Sequence, residues 1–80
     1  MYAIPIKVKP IKPFNIWVQF NNGVEGTIDL SHLKGQGIFK QWNEKDFFEK
    51  VYIDRETHAI SWNEDLELCP NSIYLKIIEG

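Results

Sequence analysis

The sequence contains a single cysteine, Cys69, in 80 residues, so no disulfide can form within the chain. Small domains in oxidising compartments usually depend on disulfides, and their absence is typical of a reducing compartment. The apolar runs are only a few residues long, so no membrane-spanning helix is predicted. The first residues also lack the charged and apolar regions of a secretory signal. The sequence therefore predicts a cytoplasmic protein with no membrane partner.

Neither sign of charge is in large excess, because the net charge is only −2. A domain that binds nucleic acid usually carries a strong excess of basic residues, so a nucleic-acid partner is not the first expectation. The charge is nevertheless unevenly distributed. Residues 1–40 carry five lysines against two carboxylates, and residues 41–80 carry four basic against nine acidic groups. Two halves of opposite net charge can dock on each other or on a partner. An uneven distribution of this size is more commonly an ordinary mixed surface.

The side chains that could build a catalytic or metal centre are few and widely separated. Cys69 with His32 or His58 is the smallest set that could provide a thiol nucleophile and its base. These residues lack the close pairs, such as C-x₂-C or H-x₃-H, that hold zinc. The segment 35–37 is a lone G-x-G without the third glycine of a phosphate-binding loop. We expect no enzyme activity, no cofactor and no metal.

Aromatic side chains are abundant, with five Phe, three Trp and three Tyr. Each can bury about 150–250 Å², so a chain this short can form a core without disulfides. No internal repeat, low-complexity segment or linker interrupts the sequence. We therefore predict a single domain over residues 1–80.

Alternation of apolar and polar residues predicts three strands in the first part of the chain. Ile4, Ile6 and Val8 would share the inward face of the first strand, with Lys7 and Lys9 on the outward face. Three prolines between residues 5 and 13 cannot donate hydrogen bonds to a neighbouring strand. This pattern is typical of an edge strand, which we expect to end near Lys12.

The second and third strands are predicted to form a hairpin, and its register follows from which alternate side chains face inward. The inward side chains would be Phe14, Ile16, Val18 and Phe20 in the second strand, and Val24, Gly26, Ile28 and Leu30 in the third. Pairing Phe20 with Val24 leaves a three-residue turn, whose last residue needs a positive φ. Gly23 occupies that position, where glycine has the lowest conformational cost.

Short helices or irregular turns are predicted after the hairpin. Residues 31–37 resemble one helical turn ended by glycine. Ile38, Phe39 and Trp42 have the spacing of a short helical face. Asn43, followed three residues later by Asp46, resembles a helix N-cap.

A second hairpin and a terminal helix complete the predicted order. Val51 and Ile53 alternate before a turn at 55–58, and Ile60 and Trp62 return with the same parity. Pro70 is suited to the first position of a helix, on which Ile73 and Ile77, and Tyr74 and Ile78, are spaced i, i+4. The predicted fold class is α+β: an antiparallel sheet built from an N-terminal three-stranded meander and a second hairpin, with short helices between them and a C-terminal helix.

Several landmarks along this order carry a family resemblance. They are Phe20-x-x-Gly23 leading to Asp29-Leu30, Phe47-Phe48 before a strand, Ile60-x-Trp62, Asp65-Leu66, Pro70, and Ile73-Tyr74. Together they resemble the DUF2442 family over nearly the whole chain. The sequence departs from it at Asn63-Glu64, where members often carry a tight turn such as Pro-Asn-Gly. The resemblance implies a small prokaryotic domain of unknown function, with Gly23, Asp29, Trp62, Asp65, Pro70 and Tyr74 as its structural signature.

Two carboxylates of that signature, Asp29 and Asp65, also raise the question of acid–base chemistry. Such a pair could act as a general acid and base. Each residue, however, lies where a strand ends, and a carboxylate there can accept backbone N–H groups and stabilise a turn. We expect the structural role for both residues.

Trp17 is the residue that most strongly suggests a binding surface. Asn15 and Gln19 share its face of the second strand, and Lys7 and Lys9 of the first strand would add a basic rim. The terminal helix either covers Trp17 or leaves it exposed as an anchor, a role in which tryptophan is enriched.

The sequence therefore favours a non-catalytic protein-interaction module. The resemblance implies a candidate partner, because some family members are encoded beside a second small protein in a toxin–antitoxin-like operon. This chain would then be the antitoxin-like or partner-binding member. The alternative is a nucleic-acid-binding accessory domain that uses the basic first hairpin and Trp17 as a stacking platform. A homodimer formed through the edge strand or the Trp17 face is also compatible with the sequence.

Overall fold

Over the described residues, the fold consists of two small antiparallel sheets, three 3-10 helices and one terminal α-helix. The computed structural model describes residues 3–11, 13–33, 35–44 and 46–79. The first sheet has the order β1 (Pro5–Ile11), β2 (Asn15–Phe20) and β3 (Glu25–Asp29); the second has the order β4 (Tyr52–Ile53), β5 (Ile60–Ser61) and β6 (Glu67–Leu68). The 3-10 helices are Ser31–Leu33, Gly37–Asn43 and Phe48–Lys50, and helix α1 is Pro70–Glu79. The predicted α+β class is confirmed, with the meander and the second hairpin in separate sheets.

The β2–β3 hairpin has the predicted register. Ile16 pairs with Ile28, and Val18 pairs with Gly26. The backbone N–H of Phe20 donates to the carbonyl of Val24 at 2.8 Å, which closes a three-residue turn. Gly23 has a φ of 91°, in the region that L side chains rarely adopt. Parity and one glycine were therefore sufficient to define this hairpin.

Strand β1 contains a bulge that the alternation did not predict. Pro5 pairs with Phe20, but Lys7 pairs with Gln19, so Ile6 is the extra residue on this strand. A bulge shifts every side chain before it to the opposite face. Pro5 is therefore buried, whereas Ile6 is 52% exposed. The prediction that Ile6 points inward was wrong. Lys12, where the strand was expected to end, lies outside the described residues.

The segment between the sheets forms 3-10 turns in place of the predicted capped helix. Asn43 is the last residue of the second 3-10 helix, and the third helix begins at Phe48, so the predicted N-cap at Asn43 was wrong. The cause is Asp46, whose φ of 62° is incompatible with a right-handed helix. Gly37 also has a positive φ and is the first residue of the second 3-10 helix. The side chain of Ile38 lies outside the described part of the structure.

The second hairpin is confirmed and is extended by a strand that was not predicted. Tyr52 pairs with Ser61, and Ile53 pairs with Ile60. The backbone N–H of Asp54 donates to the carbonyl of Ala59 at 2.9 Å. Strand β6 then pairs with β5 on its other side. Two residues are too few for an alternation pattern, which is why β6 gave no signal in the sequence.

The core lies between the inward face of the first sheet, the second sheet and helix α1. Helix α1 begins at Pro70, as predicted, and its Ile73 is buried. Its Ile77 approaches Gly26 so closely that a Cβ built on Gly26 would lie 2.9 Å from Ile77 Cγ2. The buried apolar side chains are Ile16, Val18, Phe20, Ile28, Leu30, Trp42, Phe48, Ala59, Ile60, Trp62, Leu66 and Ile73. Trp42 and Trp62 are thus core residues, as predicted.

Candidate functional site

The polar residues predicted to accompany Trp17 all lie on one side of the first sheet. The register aligns Lys9 with Trp17 and Thr27, Lys7 with Gln19 and Glu25, and Ile11 with Asn15 and Asp29. We call this surface the outer face; it consists of Lys7, Lys9, Ile11, Asn15, Trp17, Gln19, Glu25, Thr27 and Asp29. Because alternate residues of a strand point to opposite sides, the outer face is the side of the sheet away from the core.

Helix α1 does not cover Trp17. The helix lies against Gly26, which pairs with the buried Val18 and so belongs to the inward side of the sheet. Trp17 is half-buried, and the Lys9 ammonium nitrogen lies 5.6 Å from the centre of its ring. A cation at this distance is attracted to the ring face. Trp17 and the stem of Lys9 therefore form one amphipathic patch near the middle of the outer face.

The charges of the outer face are divided between its two edges. Lys7 and Lys9 lie on β1, and Glu25 and Asp29 lie on β3. The side-chain N–H of Gln19 donates to Glu25 Oε2 at 3.1 Å and orients that carboxylate. The four formal charges cancel, so the face is a polar surface with one aromatic patch and no excess charge.

The predicted turn-forming role is confirmed for Asp29 and wrong for Asp65. Asp29 Oδ1 accepts the backbone N–H of Ser31 at 2.8 Å. The hydroxyl and the backbone N–H of Ser31 lower the pKa of the Asp29 carboxyl. In the later turn, Asn63 Oδ1 accepts the backbone N–H groups of Asp65 and Leu66 at 2.9 and 2.8 Å. An asparagine at the start of that turn therefore performs the function expected of Asp65.

The remaining signature residues stabilise the core. Trp62 donates its indole N–H to the carbonyl of Phe48 at 2.8 Å. The Tyr74 ring lies 5.0 Å from the Phe20 ring in an edge-to-face arrangement. The Tyr74 hydroxyl accepts a hydrogen bond from the Asn22 side chain at 2.9 Å. The first contact attaches the segment after β5 to the third 3-10 helix, and the other two attach helix α1 to the β2–β3 hairpin.

The three residues considered for thiol or metal chemistry are not assembled into a site. Cys69 is exposed, and the backbone N–H groups of Ser72 and Asn71 at the start of α1 lower the pKa of its thiol. His58 lines a cavity of about 220 Å³ together with Pro70 and Asn71, but neither Cys69 nor His32 lines it. Within the part of the chain that the structure describes, no group of three His, Cys, Asp or Glu side chains could hold a metal ion.

A second cavity, of about 240 Å³, lies beside the core aromatic cluster and was not predicted. Three aromatic rings (Phe14, Trp42 and Phe48) and three carboxylates (Glu44, Asp46 and Glu49) contribute to its wall. We call it the aromatic cavity. The sequence signal that could have indicated it is the interleaving of acidic and aromatic residues over 42–49. Its remaining wall comes from Pro13 and Phe14, between β1 and β2, which only the tertiary structure brings close.

The family assignment rests on comparison with family models. The model described as "Protein of unknown function (DUF2442)" matches residues 5–79. The chain belongs to the DUF2442 family. The match extends from the first residue of β1 to the last residue of α1, so both sheets and the helix are part of the DUF2442 domain. No curated protein and no solved structure matches the chain.

Helix α1 of the DUF2442 domain has ten residues, and spanning a bilayer needs about 20 apolar residues. Over residues 3–11, 13–33, 35–44 and 46–79, no helix has the length and apolar character required to cross a membrane.

Proposed function

We propose that this DUF2442 domain is a non-catalytic protein-interaction module and that the outer face is its binding surface. The observation that supports this proposal is the position of Trp17, which lies on the side of the sheet opposite to α1. Tryptophan is enriched among the residues that contribute most to protein–protein binding.

The dimensions of the outer face set the strength of the expected complex. Three strands about 4.8 Å apart, each contributing about five residues at 3.3 Å per residue, form a patch of about 15 by 17 Å. Stable interfaces bury about 800 Å² on each partner, and this patch is smaller. The complex is therefore of the small, transient class, or it extends beyond the sheet to the exposed Ile6 at the bulge.

The partner is a protein and not a nucleic acid, because the outer face carries carboxylates. Glu25 and Asp29 would repel a phosphate backbone that Lys7 and Lys9 attract. The Lys9 ammonium group also lies over the Trp17 ring, where a base would have to stack. A protein surface with acidic groups opposite β1 and basic groups opposite β3 would match both edges.

The family resemblance extends this proposal to a particular kind of partner. We propose that the chain acts in the cytoplasm of a prokaryote as the antitoxin-like or partner-binding member of a two-protein operon. The single exposed cysteine supports a reducing compartment.

The test is co-expression with the product of the neighbouring gene, followed by size-exclusion chromatography with light scattering at micromolar concentration. We expect a complex with the wild-type chain and its loss in Trp17→Ala. Tyr52→Ala is the matched control, because Tyr52 is an exposed aromatic residue of the second sheet. A complex that Trp17→Ala preserves would exclude the outer face as the binding surface, and two separate peaks for the wild-type pair would count against the operon partner.

The same samples distinguish the other partners. A mass of twice the monomer for the chain alone, abolished by Trp17→Ala, would identify a second copy as the occupant of the outer face. We expect no change in the electrophoretic mobility of RNA or single-stranded DNA at low salt. A mobility shift that depends on Trp17 would favour the nucleic-acid alternative.

A further inference from the structure

The hydrogen bonds at the two ends of the β2–β3 hairpin fix the direction of the backbone groups in β3. At one end, the Phe20 N–H donates to the Val24 carbonyl at 2.8 Å. At the other end, the Leu30 N–H donates to the Phe14 carbonyl at 2.7 Å. Hydrogen-bonded pairs alternate with unbonded pairs along an antiparallel ladder. The even positions of β3 therefore bond to β2, and positions 25, 27 and 29 direct their N–H and C=O groups away from it.

These three positions form an open sheet edge. Strand β3 is the last in the order β1-β2-β3, and no strand among the described residues pairs with its other side. Glu25, Thr27 and Asp29 are all exposed. Each contributes one backbone donor and one acceptor, so an added strand would form up to about six backbone hydrogen bonds with β3.

Strand β3 lacks the features that close a sheet edge. Its five residues contain no proline, and its pairing with β2 has no register shift. Strand β1, at the opposite edge, has prolines and a bulge. Natural proteins block the edges that must not pair with another chain. The contrast therefore indicates β3 as the edge that receives a strand, a common way of recognising extended peptides.

The charges of β3 select which strand can be added. In the antiparallel register that uses all three open positions, a second copy would place its Asp29 opposite Glu25, and the reverse at the other end. Like charges directly opposite each other are destabilising, so pairing of β3 with itself is disfavoured. A strand with a basic residue at each of these two positions forms two pairs of opposite charge.

Both carboxylates are oriented by neighbouring side chains and turns. The side-chain N–H of Gln19 donates to Glu25 Oε2 at 3.1 Å. Asp29 Oδ1 accepts the Ser31 N–H at 2.8 Å, and the hydrogen bonds from Ser31 lower the pKa of the Asp29 carboxyl. An ionised carboxylate has about four lone-pair sites, so each group can also accept a hydrogen bond from a basic side chain.

We infer that β3 receives an extended segment of a partner protein as a fourth, antiparallel strand, with Lys or Arg opposite Glu25 and Asp29. This inference rests on the proposed function and states how the interaction module holds its partner. The added strand would widen the outer face by about 4.8 Å. Its backbone hydrogen bonds would also supplement the small area of that face.

The test is an NMR titration of the ¹⁵N-labelled chain with acetyl-Lys-Val-Thr-Val-Lys-amide, up to millimolar concentration. We expect the amide signals of Glu25, Thr27 and Asp29 to move downfield and to exchange with solvent more slowly, because these N–H groups gain acceptors. The signals of Gly26 and Ile28 should change much less, because their backbone groups already bond to β2. Attraction between charged side chains alone would not produce this alternation.

N-methylated peptides separate backbone pairing from charge attraction. In the antiparallel register, the central threonine of the peptide directs its N–H toward β3, and the valines direct theirs away. N-methylation of this threonine should weaken binding by about tenfold or more, because a hydrogen bond is lost and its acceptor is covered. N-methylation of the first valine is the matched control and should leave binding unchanged.

Variants of the chain locate the bound peptide. Thr27→Pro removes the central outward N–H, at an edge position where proline is tolerated, and should abolish binding; the Gly26 and Ile28 signals report whether the hairpin is kept. Glu25→Gln with Asp29→Asn should weaken binding by about two- to thirtyfold, and asparagine retains the Oδ1 that accepts the Ser31 N–H. Glu64→Gln, an exposed carboxylate outside β3, is the control and should bind like the wild type.

Four results would overturn the inference: shifts that do not alternate along β3, equal binding of the threonine-methylated peptide, equal binding of a peptide with glutamate in place of both lysines, or unchanged binding by the double variant. A chain that is a dimer by light scattering, but a monomer as Thr27→Pro, would assign the edge to a second copy and exclude the basic strand. The proposed function is tested separately. A complex with the neighbouring gene product that Trp17→Ala abolishes and Thr27→Pro preserves would retain the outer face and exclude strand addition.

Discussion

Replacing Gly26 by alanine tests the packing on which the assignment of the outer face depends. The new Cβ would lie 2.9 Å from Ile77 Cγ2 and 3.4 Å from Ile77 Cγ1. The first distance is well below ordinary carbon–carbon contact, and a β-branched side chain cannot easily rotate away. Overpacking of this kind costs about 1–3 kcal/mol. The alanine also lowers the conformational entropy of the unfolded chain, which offsets about 0.4–1 kcal/mol of this cost. We expect a net loss of about 1–2 kcal/mol in the free energy of unfolding.

The assay is urea denaturation of a double-mutant cycle with Ile77→Ala. Removing both Cγ atoms leaves Ile77 Cβ at 3.6 Å from the new methyl group, which is ordinary van der Waals contact. Gly26→Ala should therefore become neutral or stabilising in the Ile77→Ala background, giving a coupling of about 1–3 kcal/mol. Gly35→Ala is the matched control, because a Cβ there meets nothing within 4 Å. Its expected effect is a stabilisation of at most about 1 kcal/mol.

Two results would refute the reasoning. If Gly26→Ala were as stable as the wild type, helix α1 could not lie against Gly26. If the loss were equal in both backgrounds, its cause would lie outside the contact with Ile77. Either result would reopen the possibility that the helix covers Trp17.

Two further predictions concern hydrogen bonds. Trp62→Phe should destabilise the fold by about 1–3 kcal/mol more than Trp42→Phe in urea denaturation, because the Trp62 indole N–H has a backbone acceptor and the Trp42 indole N–H has no acceptor among the described residues; equal losses would contradict this assignment. The backbone N–H groups of Thr57 and Glu56 lower the pKa of Asp54 below its ordinary 3.8. The ionised Asp54 carboxylate therefore stabilises the fold fully above its unfolded-state pKa, and this stabilisation is lost as the pH falls through the lower folded-state pKa. Asp54→Asn should therefore flatten the fall in the urea midpoint between about pH 5 and pH 2, and an unchanged fall would show that Asp54 does not contribute to it.

The elements that could be predicted are those in which the local sequence pattern favours the same structure as the tertiary contacts. The β2–β3 hairpin alternates strictly over both strands, and Gly23 supplies the one backbone conformation that its turn needs. Helix α1 starts at a proline and carries Ile73 and Ile77 on one side. In both elements, the residues that form the core also fix the local geometry.

The features that could not be predicted each depend on a single residue or on distant packing. The bulge at Ile6 is one extra residue in a strand that otherwise alternates. Asp46 adopts a positive φ without being a glycine. The alternation of side chains along β2 predicted the side of the sheet on which Trp17 lies. The side on which α1 lies depends on the space that Gly26 leaves for the side chain of Ile77, which is 51 positions later in the sequence.

The aromatic cavity was missed for the same reason. Glu44, Asp46 and Phe48 are close in sequence, but they form a cavity only where Phe14 reaches them from the first hairpin. The unpaired N–H of Trp42 is a property of the packed core, which a sequence pattern does not show.

The edge of the first sheet has a consequence for behaviour at high concentration. Strand β1 carries Pro5 and Pro10 and is interrupted by the bulge at Ile6. A strand from another molecule needs an unbroken row of backbone donors and acceptors to add to a sheet edge. Fibrils that grow by strand addition cannot therefore be templated along β1. The chain can therefore expose an isoleucine on this edge without offering β1 as a template for strand addition.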